Sequence, residues 1–90
     1  MSAPTPDRDR ALVLYKYDTC PYCQRVFRKI AALGLSVPTR DVNTEAGARQ
    51  ELFEATRRSQ VPCLFIDGVP LFESADIMAW LEAYAARPAR

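Results

Sequence analysis

The sequence predicts one α/β domain of element order βαβαββα, a four-stranded mixed sheet with helices on both faces. Three observations lead there: apolar residues at helical spacing, short apolar runs that suit a sheet between them, and an Asp67-Gly68 pair that marks a tight hairpin. A strand, crossover helix and parallel strand, followed by a second crossover into that hairpin, builds such a sheet. Ninety residues, about half of them apolar, suffice for one core and are too few for two.

The elements follow in order. Residues 1–10, with Pro4, Pro6 and the charged run Asp7 to Arg10, contain nothing to bury and read as a mobile tail, leaving residues 11–87 as the domain. Ala11 to Tyr17 predicts a central strand ending at the turn-like Asp18-Thr19. From Pro21 to Leu33, Val26, Phe27, Ile30 and Leu33 recur at helical spacing, with Pro21 suited to the first helical position and Gly34 just past the last. Val37 to Val42 predicts an edge strand, because Pro38 has no N–H for a ladder. Asn43 or Thr44 can cap a second helix reaching about Arg57, with Leu52 and Phe53 inward and Gly47 weakening its first turn. Cys63 to Ile66 and Val69 to Phe72 then form antiparallel strands. Ser74 caps a last helix whose Ile77, Leu81 and Tyr84 form a core stripe flanked by Met78 and Trp80, and Pro88 stops it.

Charge and cysteine usage narrow the chemistry. Twelve basic and eleven acidic residues nearly cancel, so no nucleic-acid partner is expected. The first ten residues hold no apolar run fit for a signal peptide, and no stretch approaches about eighteen apolar residues. A cytoplasmic, monomeric protein without membrane association is the expectation. Three cysteines are an odd number for a secreted disulfide framework, and the absence of histidine removes the usual general base and the commonest metal ligand. Chemistry here rests on thiols.

Cys20-Pro21-Tyr22-Cys23 lies between the first strand and the first helix, which places Cys20 at a helix cap and Cys23 in the first turn. A thiolate, not a thiol, attacks disulfides. Unpaired N–H groups and the positive dipole end of the helix favour negative sulfur at Cys20, with Lys16 and Arg25 as further attraction. Cys23, one turn deeper, is more shielded and suited to attack a mixed disulfide formed on Cys20. Tyr22 offers an aromatic surface beside an exposed Cys20 sulfur. Cys63 reads as a small buried residue of its strand. Arg25, Arg28 and Lys29 read as a solvated helix face.

At these residues the sequence resembles the glutaredoxin family within the thioredoxin fold. Gln60-Val61-Pro62 looks like the family's Val-Pro segment, and the resemblance implies a cis Val61-Pro62 bond whose preceding backbone pairs with the cysteinyl part of glutathione. Leu71-Phe72-Glu73-Ser74 before Ala75-Asp76-Ile77 is similar to the corresponding segment of glutathione transferase N-terminal domains, so Glu73 and Ser74 are implied to hold the γ-glutamyl end. The likeness spans about Leu12 to Tyr84 and implies a thioredoxin-like fold. It also implies a glutathione-dependent thiol–disulfide oxidoreductase with Cys20 and Cys23 catalytic and Tyr22, Val61, Pro62, Glu73 and Ser74 binding glutathione as co-substrate. Glutathionylated or disulfide-containing proteins are the implied partners, and no metal is expected.

The sequence departs from the family pattern at Tyr17, where many members have lysine, and at Gln60, where many have threonine; Lys16 or Arg58 is the alternative contact for the glycyl carboxylate. A glutathione-ligated iron–sulfur carrier is the alternative function, disfavoured by the stiffening Pro21 and by disulfide formation through Cys23. A zinc site on Cys20, Cys23 and Cys63 lacks a fourth ligand. Transferase activity lacks a second helical domain for a large electrophile.

Overall fold

The sheet is built around two strands whose side chains alternate between two separate cores. A computed structural model describes residues 3–87, with β1 at Leu12–Lys16, α1 at Pro21–Ala32, β2 at Thr39–Asp41, α2 at Ala48–Thr56, β3 at Cys63–Ile66, β4 at Val69–Leu71 and α3 at Ser74–Ala86. The strand order is β2-β1-β3-β4. β1 pairs parallel with β2 and antiparallel with β3, and β3 pairs antiparallel with β4. On one face Leu12, Leu14, Leu64 and Ile66 pack with Val26 of α1 and Ile77, Trp80 and Leu81 of α3. On the other, Cys63 packs with Val42, Ala48 and Leu52, joined by the partly buried Tyr15, Tyr17 and Phe65. The period-2 alternation of β3 thus divides Leu64 and Ile66 from Cys63 and Phe65.

The edge and hairpin arise as the local chemistry dictates. Pro38 precedes β2, and its carbonyl accepts from the Leu14 N–H at 2.9 Å while its ring needs no donor partner. Asp67 and Gly68 have φ of 49° and 82°, as a type I′ turn requires, and glycine reaches that region without steric cost.

Two helix starts differ from expectation. Neither Asn43 nor Thr44 caps α2: their N–H groups donate to Asp41 Oδ1 at 2.8 and 3.1 Å, folding the chain after β2 into a turn. Gly47, at φ 83°, holds the cap position instead. With the helix beginning at Ala48, Ala48 and Leu52 share the buried side, whereas Phe53 lies about 100° further round and is 45% exposed rather than inward. Ser74 is likewise the first residue of α3 and not its cap; Glu73 occupies that position with no side-chain cap bond.

The N-terminal segment also departs from its reading as a stretch with nothing to bury. Ala3 packs against the larger core. The Trp80 indole donates to the Pro4 carbonyl at 2.7 Å, and the Tyr84 hydroxyl donates to the Arg8 carbonyl at 3.4 Å. Arg10 pairs with Asp67 at 3.0 Å and Arg87 with Asp7 at 2.7 Å. Trp80 and Tyr84, four residues apart on α3 and stacked at 5.3 Å, present polar tips that backbone carbonyls satisfy. Met1, Ser2 and the expected stop at Pro88 lie outside the described residues.

Candidate active site

The turn after β1 delivers Cys20 to the start of α1. The Cys20 N–H donates to the Tyr17 carbonyl at 3.3 Å, and the Cys20 carbonyl accepts the Gln24 N–H at 3.0 Å. Cys20 itself keeps an extended backbone, with φ −73° and ψ 120°, and Pro21 opens the helix. The Cys20 sulfur accepts the Cys23 N–H at 3.4 Å. Sulfur therefore fills the place where serine or aspartate oxygen usually caps a helix, and negative charge on it is favoured there. Cys20, Cys23 and Cys63 are all free thiols.

The two motif cysteines are unequal, as their positions imply. Cys20 is 4% exposed, so it is nearly covered rather than open on the surface as expected, and Cys23 is fully buried. Burial pushes the Cys23 thiol well up; a backbone hydrogen bond to Tyr17 and the Lys16 charge act against the rise. Cys63, also fully buried, is pushed up to about 12 by burial. Thiols so held are poor nucleophiles near neutrality.

The cations stand differently from the sequence reading. Lys16 Nζ is held by Asp18 at 2.6 Å and Asp41 at 3.2 Å. Asp41 is buried, and its carboxyl is kept below the usual range first by the Asn43 N–H, with Lys16 and the Thr44 N–H contributing against burial. Arg25 lies 5.6 Å above the Tyr22 ring and Arg58 lies 5.0 Å above the Phe72 ring. Lys16 is thus paired with two carboxylates and Arg25 is stacked on an aromatic ring. Tyr17, which the sequence reading treated only as a departure, holds Cys20 by its backbone carbonyl, and negative charge on Cys20, followed by burial, raises its phenol above the ordinary value.

A pocket of about 380 Å³ is lined by Tyr22, Gln60, Val61, Pro62, Glu73 and Ser74. All five residues implied to bind glutathione therefore meet, although they come from three separated segments, and Gln60 joins them. The Val61-Pro62 bond is cis. Tyr22, 59% exposed, offers its ring to solvent. Glu73 has φ 72°, where a side chain is strained by roughly 1–3 kcal/mol, and its carboxylate accepts from Gln60 Nε2 at 3.3 Å. Since no side chain caps α3, the first N–H groups of that helix are left for an anion. Glu73→Gly is expected to raise the melting temperature by relieving the backbone; differential scanning calorimetry checks it.

Gln60 and Val61 also line a second groove, of about 540 Å³, with Tyr17, Asn43, Arg49 and Ser59. Arg49 donates to Asn43 Oδ1. The sequence reading missed Arg49 because α2 reaches this groove only through the tertiary fold. Among the described residues no group of three or more His, Cys, Asp or Glu side chains is arranged to hold a metal ion.

Comparisons with known proteins agree with this geometry. The glutaredoxin family model matches residues 12–71. Glutaredoxin 3 of Escherichia coli strain K12 is 30% identical over 66 residues, covering 73% of this chain and 80% of the relative. A wheat glutaredoxin structure superposes with a TM-score of 0.64 at 26% identity, covering 83% of this chain and 74% of that one. A glutathione transferase homologue from Drosophila mojavensis, solved with bound glutathione, gives a TM-score of 0.72 at 26% identity and covers 86% of this chain. This chain spans only 36% of that protein's length. With the four-stranded sheet, the capped cysteine and these matches together, the chain belongs to the glutaredoxin family of the thioredoxin fold.

Proposed function

We propose that the protein reduces glutathione mixed disulfides and protein disulfides at the expense of glutathione. The observation that supports this most is the convergence of Tyr22, Val61, Pro62, Glu73 and Ser74 on one pocket, beside a cysteine that caps α1 with its sulfur. The bound glutathione of the transferase homologue supports the same ligand. The γ-glutamyl carboxylate meets the open N-terminus of α3, the cysteinyl backbone pairs at Val61, and the glycyl carboxylate reaches Arg49 and Gln60 across the shared wall of the two grooves.

In the first step the Cys20 thiolate attacks the glutathione sulfur of a glutathionylated protein. The Cys20–glutathione bond forms, the old disulfide breaks, and the protein thiolate leaves and takes a proton from solvent. A second glutathione thiolate then attacks the bound glutathione sulfur, releasing oxidised glutathione and the Cys20 thiolate. With a protein disulfide, Cys23 loses its proton and attacks Cys20 in the protein mixed disulfide. This releases the reduced protein and leaves a Cys20–Cys23 disulfide, which two glutathione molecules reduce. Free cysteines and this donor fit a reducing, cytoplasmic setting.

Peptide mass spectrometry after brief treatment with oxidised glutathione tests the reading. The expected products are a glutathione adduct on Cys20 and a Cys20–Cys23 disulfide, with Cys63 unmodified. Modification confined to Cys63, or none at Cys20, overturns it.

A further inference from the structure

A third groove, apart from the two that meet at Gln60 and Val61, runs along the seam between α1 and α3. It encloses about 330 Å³ and is lined by Arg25, Arg28, Lys29 and Ala32 of α1 and by Met78 of α3. The four α1 residues fall at i, i+3, i+4 and i+7, a single stripe of a helix. The cations that the sequence assigns to a solvated face therefore form one wall of a cleft. Lys29 is satisfied within the molecule by Glu82 at 3.1 Å. Arg25 and Arg28 are both exposed, and among the described residues neither has a carboxylate within ion-pair distance.

Charge, floor and position together say what fits there. Met78 is partly buried against the larger core, and with Ala32 it gives the groove an apolar side that suits an aliphatic side chain. Arg25 lies 5.6 Å above the Tyr22 ring, and Tyr22 lines the proposed glutathione pocket, so the groove begins at that pocket's rim. A polypeptide joined through its cysteine to glutathione in the pocket passes such a rim as it leaves. Residues three apart on a helix have Cβ atoms about 5–6 Å apart, close to the roughly 7 Å between alternate residues of an extended chain. We infer that this groove docks an extended acidic segment of the protein substrate, its carboxylates on Arg25 and Arg28 and an aliphatic side chain against Ala32 and Met78. The inference rests on the proposed reduction of glutathionylated proteins and names the chemistry of their protein part. A bilayer or a nucleic-acid duplex needs a broad basic face, whereas this cleft is narrow and the twelve basic and eleven acidic residues of the chain nearly cancel.

Three glutathionylated substrates test it in an assay coupled to glutathione reductase. One is a cysteine peptide flanked on both sides by Asp-Leu-Asp, one the same peptide with asparagine for aspartate, and one the mixed disulfide of glutathione with 2-mercaptoethanol. The wild type is expected to use the aspartate peptide with kcat/KM about fivefold above the asparagine peptide, the size of one or two exposed ion pairs, through a lower KM. Salt at about 0.5 M is expected to erase most of that advantage. Arg28→Glu is expected to abolish or reverse the preference and Arg28→Lys to keep most of it. Both are expected to leave the small mixed disulfide unchanged, because Arg28 lies outside the glutathione pocket. Equal use of the two peptides by the wild type, or a preference that survives Arg28→Glu, overturns the inference with disulfide reduction intact. Equal use of the peptides with Arg28-dependent binding to phosphatidylserine vesicles or duplex DNA also overturns it and gives the groove to a phosphate-bearing surface. No turnover of any of the three substrates overturns the functional reading and the inference with it.

Discussion

Cys20→Ser is expected to bring glutathione-coupled disulfide reduction down to the uncatalysed background, whereas Cys23→Ser keeps turnover of a glutathionylated peptide and loses most turnover of a protein disulfide. The asymmetry follows from position. Cys20 is the residue whose sulfur receives a helix N–H, and a hydroxyl in its place is neither ionised nor nucleophilic near neutrality. Cys23 is fully buried, and burial pushes its thiol well up. It therefore acts when a mixed disulfide on Cys20 lies within reach. The check is an assay coupled to glutathione reductase with the two substrates in parallel. Full activity of Cys20→Ser on either substrate contradicts the assignment, and equal losses on both substrates in Cys23→Ser contradict the division of roles.

The second large effect concerns the core. Leu64→Ala is expected to destabilise the protein by about 3 kcal/mol, within the range for a buried leucine that leaves a cavity. Leu64 is fully buried on β3, a central strand, where it pairs with Leu14 on β1 and Leu71 on β4. It packs with Val26, Ile77 and Leu81, so the cavity opens between the sheet and both helices of that face. For a domain of this size each kcal/mol lowers the melting temperature by roughly 4–8 °C. Urea unfolding followed by Trp80 fluorescence measures the loss; a shift below about 1 kcal/mol contradicts close packing at this position.

Much of this architecture was legible because the signals were local. Pro21 and Gly34 delimit α1, Asp67-Gly68 marks the hairpin, and alternation in β3 assigns its two faces. The cap geometry of Cys20 followed from the same local order. The start of α2 was not legible: Asp41, at the end of β2, takes the N–H groups of Asn43 and Thr44 that a nascent helix would use. That delayed the helix to Ala48 and turned Phe53 outward. Serine is a preferred cap, yet the chain places Glu73 there at positive φ, a conformation that local preference disfavours. Tyr17 beside Cys20 and Arg49 beside Gln60 depend on the turn after β1 and on where α2 docks. Composition and spacing do not encode those distances. The contacts of residues 3–10 were not legible for a related reason: they join backbone carbonyls of Pro4 and Arg8, and the Arg8 side chain, to Trp80 and Tyr84 far along the chain.

The Asp7–Arg87 pair brings the two ends of the described chain side by side, and Arg8 also donates to the Arg87 carbonyl at 3.3 Å. α3 runs thirteen residues from Ser74 at the pocket to Ala86, a span of about 18 Å at the usual rise per residue. Residues 7 and 8 thus meet residue 87 just past the end of α3 remote from the pocket. Within the described residues the chain closes on itself at that seam, about one helix length from the pocket.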